Sequence, residues 1–379
     1  MKHSHELTLL ETPSLLLDRN RLVSNCQRMQ QRMQGLGVKL RPHMKTAKSA
    51  DVARLAASSG AITVSTLKEA EYFAEAGFTD ILYAVGITPD KIKRASRLRK
   101  DGVDLIIVTD NIEAVKHLDN AAAKTETSFR TLIEVDTGDG RAGVEPSSDE
   151  LVTLAQAIHN ASNLDFAGVF THAGQSYGAA SHEDIKHIAE KERGEIVMAS
   201  QRLAELGYHC DIVAPGSTPT AALAQNLDGV TEMRPGVFVF GDLHQAALGS
   251  CSESDLALCV LTQVIGHNPR TRSLLVDAGG LALSKDLSAS NFGLPVGYGR
   301  VADLDGTWLD PGMHVHAVSQ EHGQVRRDDK ELPDFSRFPV GTRLRIFPNH
   351  ACMTAAAYEY YQVTEDNRVT GIWPRINGW

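Results

Sequence analysis

The stretch VKLRPHMKTAKS, residues 38–49, contains the first strand-to-helix unit of this chain. A short apolar run, Val38–Arg41, ends in polar residues, and Thr46–Ser49 are predicted to begin a helix. Lys45 lies between the two, at the mouth of a β/α unit, where a lysine amine is a candidate for forming a Schiff base. A solvated basic turn accounts for the same residues, so the role of the lysine depends on the rest of the chain.

The same unit recurs from residue 38 to residue 240. Eight short strand-like runs each end in polar or glycine residues, and they are Val38–Arg41, Ala61–Ser65, Ile81–Val85, Leu105–Thr109, Thr131–Asp136, Phe166–Thr171, Asp211–Ala214 and Glu232–Phe240. Amphipathic helical patterns such as Leu67–Ala76 and Asn111–Leu118 lie between them. Eight parallel β/α units predict an α/β fold, a (β/α)8 barrel. An open doubly wound sheet is the alternative, but it favours an early GxGxxG turn that this sequence lacks.

After about residue 250 the pattern changes to strand-like runs separated by turns. These runs are Ala257–Ile265, Ser273–Val276, Arg343–Phe347, Tyr360–Val363 and Val369–Trp373. The alternation is typical of an antiparallel β-domain. The apolar residues Leu7–Leu10 precede the barrel and are candidates for pairing with that sheet. We therefore predict a barrel over residues 13–250 and a β-domain formed by residues 1–12 and 251–379.

Composition excludes several classes of partner. The 379 residues carry a net charge of −9 without a basic stripe, which argues against nucleic acid and anionic membranes. No apolar run has the length of a membrane span, and the first residues lack the pattern of a secretory signal. Five widely spread cysteines do not form a disulfide framework, so we expect a reducing, cytoplasmic compartment.

Polar residues collect at the predicted carboxyl ends of the barrel strands, where the active sites of such barrels lie. The candidates for cofactor binding are His43, Lys45, Arg141, His172, Tyr177, Gly216, Ser217, Thr218, Arg234 and Gly236. The GSTPT and RPGV segments follow strands seven and eight, whose loops commonly hold a phosphate group in this fold. A Ser/Thr/Pro turn that caps a helix is the simpler alternative.

A phosphate site opposite a lysine suggests pyridoxal 5′-phosphate, which needs an amine, a phosphate anchor and groups that orient its ring. Arg234 is a candidate partner for the ring nitrogen and Arg141 for the phenolic oxygen. Tyr177 and His172 are candidates for positioning the ring and the phosphate.

A second candidate site lies in PNHACMTAAAYEYY, residues 348–361. His350 and Cys352 are two residues apart, so on a strand they would face the same side. Histidine and cysteine form a soft, zinc-like ligand pair, and two protein ligands leave coordination positions open for water or substrate. A buried cysteine beside a satisfied histidine is the alternative. In SQEHG, residues 319–323, Gln320 and His322 are either substrate contacts or part of a turn.

Seven motifs, in the same order and over nearly the whole chain, resemble the family of D-serine dehydratases and D-threonine aldolases. They are RPHMKT at 41–46, DTGDGRAGV at 136–144, THAGQSY at 171–177, GSTPT at 216–220, RPGVFVFGD at 234–242, SQEHG at 319–323 and PNHAC at 348–352. The resemblance implies an alanine-racemase-type barrel, pyridoxal phosphate, a divalent metal and a small D-amino acid substrate. It also implies a homodimer.

Carried over by motif, the resemblance implies that Lys45 links the cofactor and acts as the base at Cα. Gly236 and Val237 would join Tyr177 and the Gly216–Thr218 loop around the cofactor. His350 and Cys352 would bind the metal, with zinc expected and manganese, cobalt or magnesium as alternatives. The family's aldolases carry His-x-Asp at this point, whereas His-x-Cys resembles the dehydratases.

The implied reaction is the dehydration of D-3-hydroxy amino acids, such as D-threo-3-hydroxyaspartate or D-serine, to a 2-oxo acid and ammonia. Three alternatives stay open at this stage. The same parts serve an aldolase that yields glycine and an aldehyde, an amino-acid racemase, or a non-catalytic carrier of pyridoxal phosphate.

Overall fold

The computed structural model describes residues 5–292, 294 and 296–379, and the chain divides into two compact units. The barrel unit comprises Gln27–Gly236 with Gly378–Trp379. The sheet unit comprises the described residues up to Cys26 together with Val237–Asn377. The domain boundaries at residues 12/13 and 250/251 stay predictions, and residues 1–4, 293 and 295 of the predicted β-domain lie outside the described residues.

The barrel unit is built on eight parallel strands. They are β1 (Lys39–Leu40), β2 (Ala61–Val64), β3 (Asp80–Tyr83), β4 (Asp104–Thr109), β5 (Phe129–Glu134), β6 (Leu164–Phe170), β7 (Ile212–Ala214) and β8 (Glu232–Met233). Strands β2 to β7 are neighbours in sequence order, and β8 pairs with β1 in parallel. Each strand overlaps one of the eight predicted runs, and the bounds differ at one or both ends.

Backbone hydrogen bonds just beyond the strand ends close the ring. The Met44 amide donates to the Thr63 carbonyl at 2.8 Å, which joins the end of β1 to β2. The Thr231 amide donates to the Val213 carbonyl at 3.0 Å, which joins β8 to β7. The predicted (β/α)8 barrel is therefore confirmed. Its last strand is shorter than the predicted Glu232–Phe240, because Pro235 has no amide hydrogen to continue a ladder.

Helices alternate with the strands, and several of them begin at side-chain caps that the sequence contains. Their bounds are Arg19–Gly35, Ala50–Ala56, Leu67–Glu75, Ile92–Lys100, Ile112–Ala123, Asp149–Asn160, His182–Glu205 and Thr218–Leu223. Thr66 accepts the amide of Glu69 at 3.0 Å, and Asn111 accepts the amide of Ala114 at 3.0 Å. Such caps satisfy amide groups that the first helical turn leaves unpaired. No helix among the described residues is long and apolar enough to cross a membrane.

The sheet unit contains one ten-stranded sheet. In spatial order its strands are His5–Glu6, Arg368–Pro374, Tyr360–Glu365, Ser14–Asp18, Leu258–Asn268, Ser273–Val276, Gly323–Arg327, Met313–Val318, Arg300–Ala302 and Arg343–Phe347. The pairings are antiparallel, except that Ser14–Asp18 and Tyr360–Glu365 run parallel. Arg343–Phe347 also pairs with Leu258–Asn268, so six of the strands close on themselves.

Short helices interrupt this sheet at Leu243–Ala247, Gly280–Leu283 and Ala351–Ala355. Leu16, Leu261 and Phe347 belong to its buried core. The predicted antiparallel β-domain is confirmed. At the amino terminus the backbone of His5–Glu6 pairs with Arg368–Val369, and Leu7–Leu9 form a short helical turn.

Candidate active site

Lys45 lies in a turn after β1, at the carboxyl end of the barrel. Its side chain is exposed, and its backbone amide donates to Nδ1 of His43 at 3.4 Å. The helix that was predicted to begin at Thr46–Ser49 begins instead at Ala50, with Ser49 as its cap. Lys48 has a φ of +49°, which a right-handed helix does not allow. The longer turn leaves Lys45 at the barrel mouth instead of on a helix.

The lowered pKa values of two histidines near Lys45 indicate a positively charged environment. Nδ1 of His172 lies 2.9 Å from the Gly216 carbonyl oxygen. Burial, followed by the charge of Lys45, lowers the pKa of His172 to about 3, and Arg234 and Arg141 act in the same direction. Burial and then Lys45 also hold the pKa of His43 well below its usual range. The barrel mouth therefore suits an anion.

The loop after β7 presents hydroxyl and backbone groups at this mouth. Ser217 accepts the amide of Thr220 at 3.2 Å, and the amide of Thr218 donates to the Tyr177 hydroxyl at 3.4 Å. Gly216 has a φ of +136°, and a Cβ there would lie 2.6 Å from the Arg234 amide nitrogen. Only glycine fits this position without displacing the backbone of the next loop.

Gly236 brings the loop after β8 against the loop after β1. Its amide donates to the Thr218 hydroxyl at 3.3 Å, and a Cβ would lie 3.0 Å from the His43 carbonyl oxygen. The loops after strands one, seven and eight are thus in direct contact. Val237, the next predicted residue, belongs to the sheet unit, where it is buried and begins a short helical turn.

The two predicted arginines differ in how firmly they are held. Arg234 is buried, donates through Nε to the Ala214 carbonyl at 3.2 Å and through Nη2 to Thr171, and stacks 3.8 Å from the Phe170 ring centre. Arg141 is 58% exposed and lies 3.8 Å from Glu134. Their roles at the ring nitrogen and the phenolic oxygen stay predictions.

Glu192 is part of this site, and the sequence reasoning missed it. The residue projects from the helix His182–Glu205, and its Oε1 accepts the amides of Ala173 at 3.0 Å and Gly216 at 2.9 Å. Burial raises the pKa of this carboxyl. The carboxylate fixes the loops after β6 and β7 to each other. A buried glutamate in a long charged helix carries no local signal of that contact.

These residues fit pyridoxal phosphate on the chemistry of their groups. A lysine amine, several cations and a hydroxyl-lined loop occupy one end of one barrel. Gly216 lies close to the Arg234 backbone, and Gly236 lies close to the His43 backbone. These approaches place backbone amides beside the loop after β7, and such amides bind phosphate oxygens well.

The predicted metal ligands lie in the sheet unit. His350 caps the helix Ala351–Ala355, and Cys352 is the second residue of that helix. The pair is therefore at a strand-to-helix turn, and the assumption that both lie on a strand was wrong. The turn still brings the imidazole and the thiol into hydrogen-bond contact.

Two carboxylates organise this turn. Oδ2 of Asp286 lies 2.9 Å from Nδ1 of His350, and Oδ2 of Asp242 accepts the Ala351 amide at 2.9 Å. Burial lowers the pKa of His350, but the hydrogen bonds with Asp286 and then Cys352 outweigh it and raise the pKa to about 11. Neither aspartate was predicted from the sequence, although Asp242 precedes LHQ in a pattern typical of helix caps.

The donor set fits a catalytic metal with open positions. Imidazole nitrogen and thiolate sulfur are preferred ligands of zinc. Across the described ranges, no group of three His, Cys, Asp or Glu residues is arranged to hold a metal ion. Water or substrate would therefore complete the coordination, as in catalytic rather than structural sites.

Gln320 and His322, the predicted substrate contacts, are exposed in the hairpin turn between Met313–Val318 and Gly323–Arg327. The Ser319 amide donates to the His322 carbonyl at 2.8 Å, so the segment is a turn as the alternative proposed. Their contact with substrate stays a prediction.

Comparisons with known proteins agree with this architecture. Residues 17–244 match the family described as "Alanine racemase, N-terminal domain", and residues 257–364 match "Putative serine dehydratase domain". D-threo-3-hydroxyaspartate dehydratase of Delftia sp. is 43% identical over 98% of this chain and 99% of the relative. D-serine dehydratase of Dictyostelium discoideum is 33% identical over the full length of both chains. 3-Hydroxy-D-aspartate aldolase of Paracoccus denitrificans is 30% identical over 96% of this chain and 91% of the relative.

Solved structures of the Delftia enzyme superimpose closely. A cysteine-to-alanine variant in the metal-free form is 42% identical, with a TM-score of 0.95 over 99% of this chain and 100% of that one. A histidine-to-alanine variant has the same identity and TM-score, over 99% and 97% of the two chains. From these matches, the chain belongs to the family whose members join an alanine racemase N-terminal domain to a serine dehydratase domain.

Proposed function

We propose that this protein is a pyridoxal-phosphate- and divalent-metal-dependent dehydratase of D-3-hydroxy amino acids. Its substrates are D-threo-3-hydroxyaspartate or D-serine, and its products are a 2-oxo acid and ammonia. The proposal rests on two reactive groups, one in each unit, in a chain that is 43% identical to D-threo-3-hydroxyaspartate dehydratase. One is the lysine among cations at the barrel mouth, and the other is the His350–Cys352 turn.

The barrel unit supplies the chemistry at Cα. Pyridoxal phosphate, when bound, makes the Cα–H bond of an attached amino acid acidic. The Lys45 amine would hold the cofactor, and the same amine would accept the proton from the substrate Cα. Tyr177 and the Gly216–Thr218 loop would bind the phosphate. Gly236 allows its own loop to approach the backbone of His43 closely.

The sheet unit supplies the chemistry at Cβ. His350 and Cys352 would hold a divalent metal, which acts as a Lewis acid toward a hydroxyl group. The Asp286 carboxylate accepts a hydrogen bond from Nδ1 of His350, so Nε2 is the nitrogen that would bind a metal after losing its proton. The sulfur of Cys352 favours zinc over manganese, cobalt or magnesium, since thiolate is a soft ligand. Metal analysis of the purified protein identifies the ion.

The overall reaction balances without a further reagent. The substrate loses a proton from Cα and hydroxide from Cβ, and the enamine that is released adds water to give the oxo acid and ammonia. Water is thus lost in the first step and consumed in the second.

The competing proposal is an aldolase that breaks the Cα–Cβ bond. The 30% identical relative named as a 3-hydroxy-D-aspartate aldolase favours it. Incubation with D-serine, D-threo-3-hydroxyaspartate and D-threonine separates the two reactions. We expect ammonia and an oxo acid. Glycine as the sole amino product would refute the dehydratase and support the aldolase.

We further propose that the protein acts in the cytoplasm as a homodimer. The five cysteines of the described chain are all unbridged thiols, which is typical of a reducing compartment. Light scattering after gel filtration tests the dimer, and a monomeric mass would contradict it.

A further inference from the structure

A pocket in the sheet unit is lined almost entirely by arginine, lysine and histidine side chains. Its volume is about 300 Å³, and its walls include Arg270, Arg272, His314, His316, Arg326, Arg327 and Lys330. We call this cavity the basic pocket. Neither the proposed cofactor site nor the proposed metal site uses any of these residues.

The backbone fixes the positions of these cations. His314 and Arg326 are direct partners on the antiparallel strands Met313–Val318 and Gly323–Arg327, so they share one face of the sheet. The register shifts between Val315 and Ala317, which makes His316 the extra residue of a bulge. Bulges redirect a side chain, and here the two imidazole rings lie 6.2 Å apart.

Few of the cations are neutralised. His314 pairs with Asp328 at 2.7 Å, and Arg327 pairs with Asp329. In the part of the chain that the structure describes, no carboxylate pairs with the four permanent cations Arg270, Arg272, Arg326 and Lys330. Nε of Arg326 is buried without a hydrogen-bond partner. A buried guanidinium nitrogen left unpaired is costly, so this nitrogen favours a hydrogen-bond acceptor as the ligand of the pocket.

The local potential is positive although the whole chain is acidic. The chain has a net charge of −9, which by itself keeps a protein soluble. Solubility therefore does not explain a cluster of four cations without carboxylate partners. Burial, followed by the charges of Arg326 and His314, lowers the pKa of His316. The imidazole therefore stays neutral at physiological pH and can donate or accept one hydrogen bond.

We propose that the basic pocket binds an oligophosphate anion, either free or as the phosphate tail of a nucleotide. Guanidinium groups match phosphate oxygens with two parallel hydrogen bonds, and four cations balance the charge of pyrophosphate or triphosphate. Among the described residues that line the pocket, the only aromatic rings are the two imidazoles, so these residues provide no apolar platform for a base.

The test is equilibrium binding of labelled pyrophosphate, inorganic triphosphate and ATP to the enzyme loaded with cofactor and metal. Loading fills the phosphate site of the barrel before the titration. The variant Arg272→Gln/Arg326→Gln removes two cations of the basic pocket. The matched control Lys93→Gln/Lys124→Gln removes two cations from a cavity of about 790 Å³ in the barrel unit.

We expect pyrophosphate to bind at least about tenfold more weakly to the arginine variant, while the lysine variant binds as the wild type does. Equal affinity for triphosphate and ATP assigns the site to the phosphate chain alone, and tighter ATP binding assigns it to a nucleotide. Equal losses in both double variants would overturn the proposal. Citrate that binds as tightly as pyrophosphate would also overturn the proposal, because the pocket would then select anions by charge and not by phosphate geometry.

Discussion

The imidazole Nδ1 of His350 lies 2.9 Å from Oδ2 of Asp286, a residue 64 positions earlier in the chain. The same carboxylate is anchored through Oδ1, which accepts the backbone amide of Ser288 at 2.8 Å and its hydroxyl at 2.5 Å. A carboxylate held on both oxygens fixes the tautomer and the ring plane of its histidine. Asp286 is therefore a positioning residue for the proposed metal.

Asp286→Asn should lower the affinity for zinc by about 10–100-fold, because the amide holds the imidazole less strongly. The measurement is a zinc titration against a competing chelator. Asp334→Asn is a suitable control, since this exposed residue caps a short turn through an oxygen that asparagine keeps. Equal zinc affinities in the two variants would contradict the positioning role.

Zinc affinity should rise with pH. A metal binds the neutral imidazole, and the pKa of His350 in the metal-free protein is raised to about 11 by Asp286 and Cys352 against the effect of burial. Protons therefore compete with zinc throughout the neutral range, at up to about tenfold per pH unit for one bound proton. Titrations between about pH 6 and about pH 9 would reveal this slope, and a flat profile would exclude the competition.

The same shift predicts how pH changes the stability of the metal-free protein. In the folded protein the pKa of His350 is raised above 6.5. The contribution of the protonated imidazole to the free energy of unfolding is therefore fully present below pH 6.5 and is lost as pH rises toward 11. Thermal unfolding should show a wild-type advantage over His350→Gln that shrinks on going to alkaline pH. A constant difference would mean that folding leaves the pKa of His350 unchanged.

Lys45→Ala should abolish covalent attachment of pyridoxal phosphate. Borohydride reduction followed by mass spectrometry of the intact chain detects the attachment. Lys48→Ala is the matched control, because Lys48 pairs with Glu69 at 3.0 Å and has another function in the same turn. A reduced adduct that persists in Lys45→Ala would assign the cofactor to a different lysine.

Glu192→Ala should destabilise the loops after β6 and β7. The substitution leaves the amides of Ala173 and Gly216 without their acceptor, at about 1–3 kcal/mol for each buried group. Glu192→Gln retains an oxygen acceptor and should restore both the stability in urea and the affinity for pyridoxal phosphate. If glutamine behaves as alanine does, the charge of Glu192 matters rather than its hydrogen bonds.

Gly216→Ala should lower the stability by about 2 kcal/mol or more, because it combines a positive φ with a close backbone contact. Cofactor affinity should fall with it. Gly194→Ala is the control, since the helix Cβ there meets nothing within 4 Å and should add about 1 kcal/mol of stability. Unfolding in urea measures the stability of both variants. An unchanged free energy of unfolding in Gly216→Ala would show that the loops after β7 and β8 can move apart without cost.

The repeat of strand and helix patterns was sufficient to predict the barrel, because each unit follows from local periodicity. The same holds for the loops with Gly216 and Gly236, which follow directly from strands seven and eight. Local patterns were weaker at turns. Lys48 adopts a left-handed conformation that delays a helix, and His350 begins a helix where a strand was assumed. Both depend on contacts with residues distant in the chain.

Sequence by itself determined the fold class, the candidate lysine and the His350–Cys352 pair, since these depend on residue type and spacing along the chain. Tertiary structure alone decided the partners of those groups. Asp286 meets His350 across 64 residues, and Glu192 meets Gly216 across 24. Likewise, the register of two strands sets His314 beside Arg326. The physical reason is that a hydrogen bond or a shared charge depends on distance in space, which strand pairing and helix packing set.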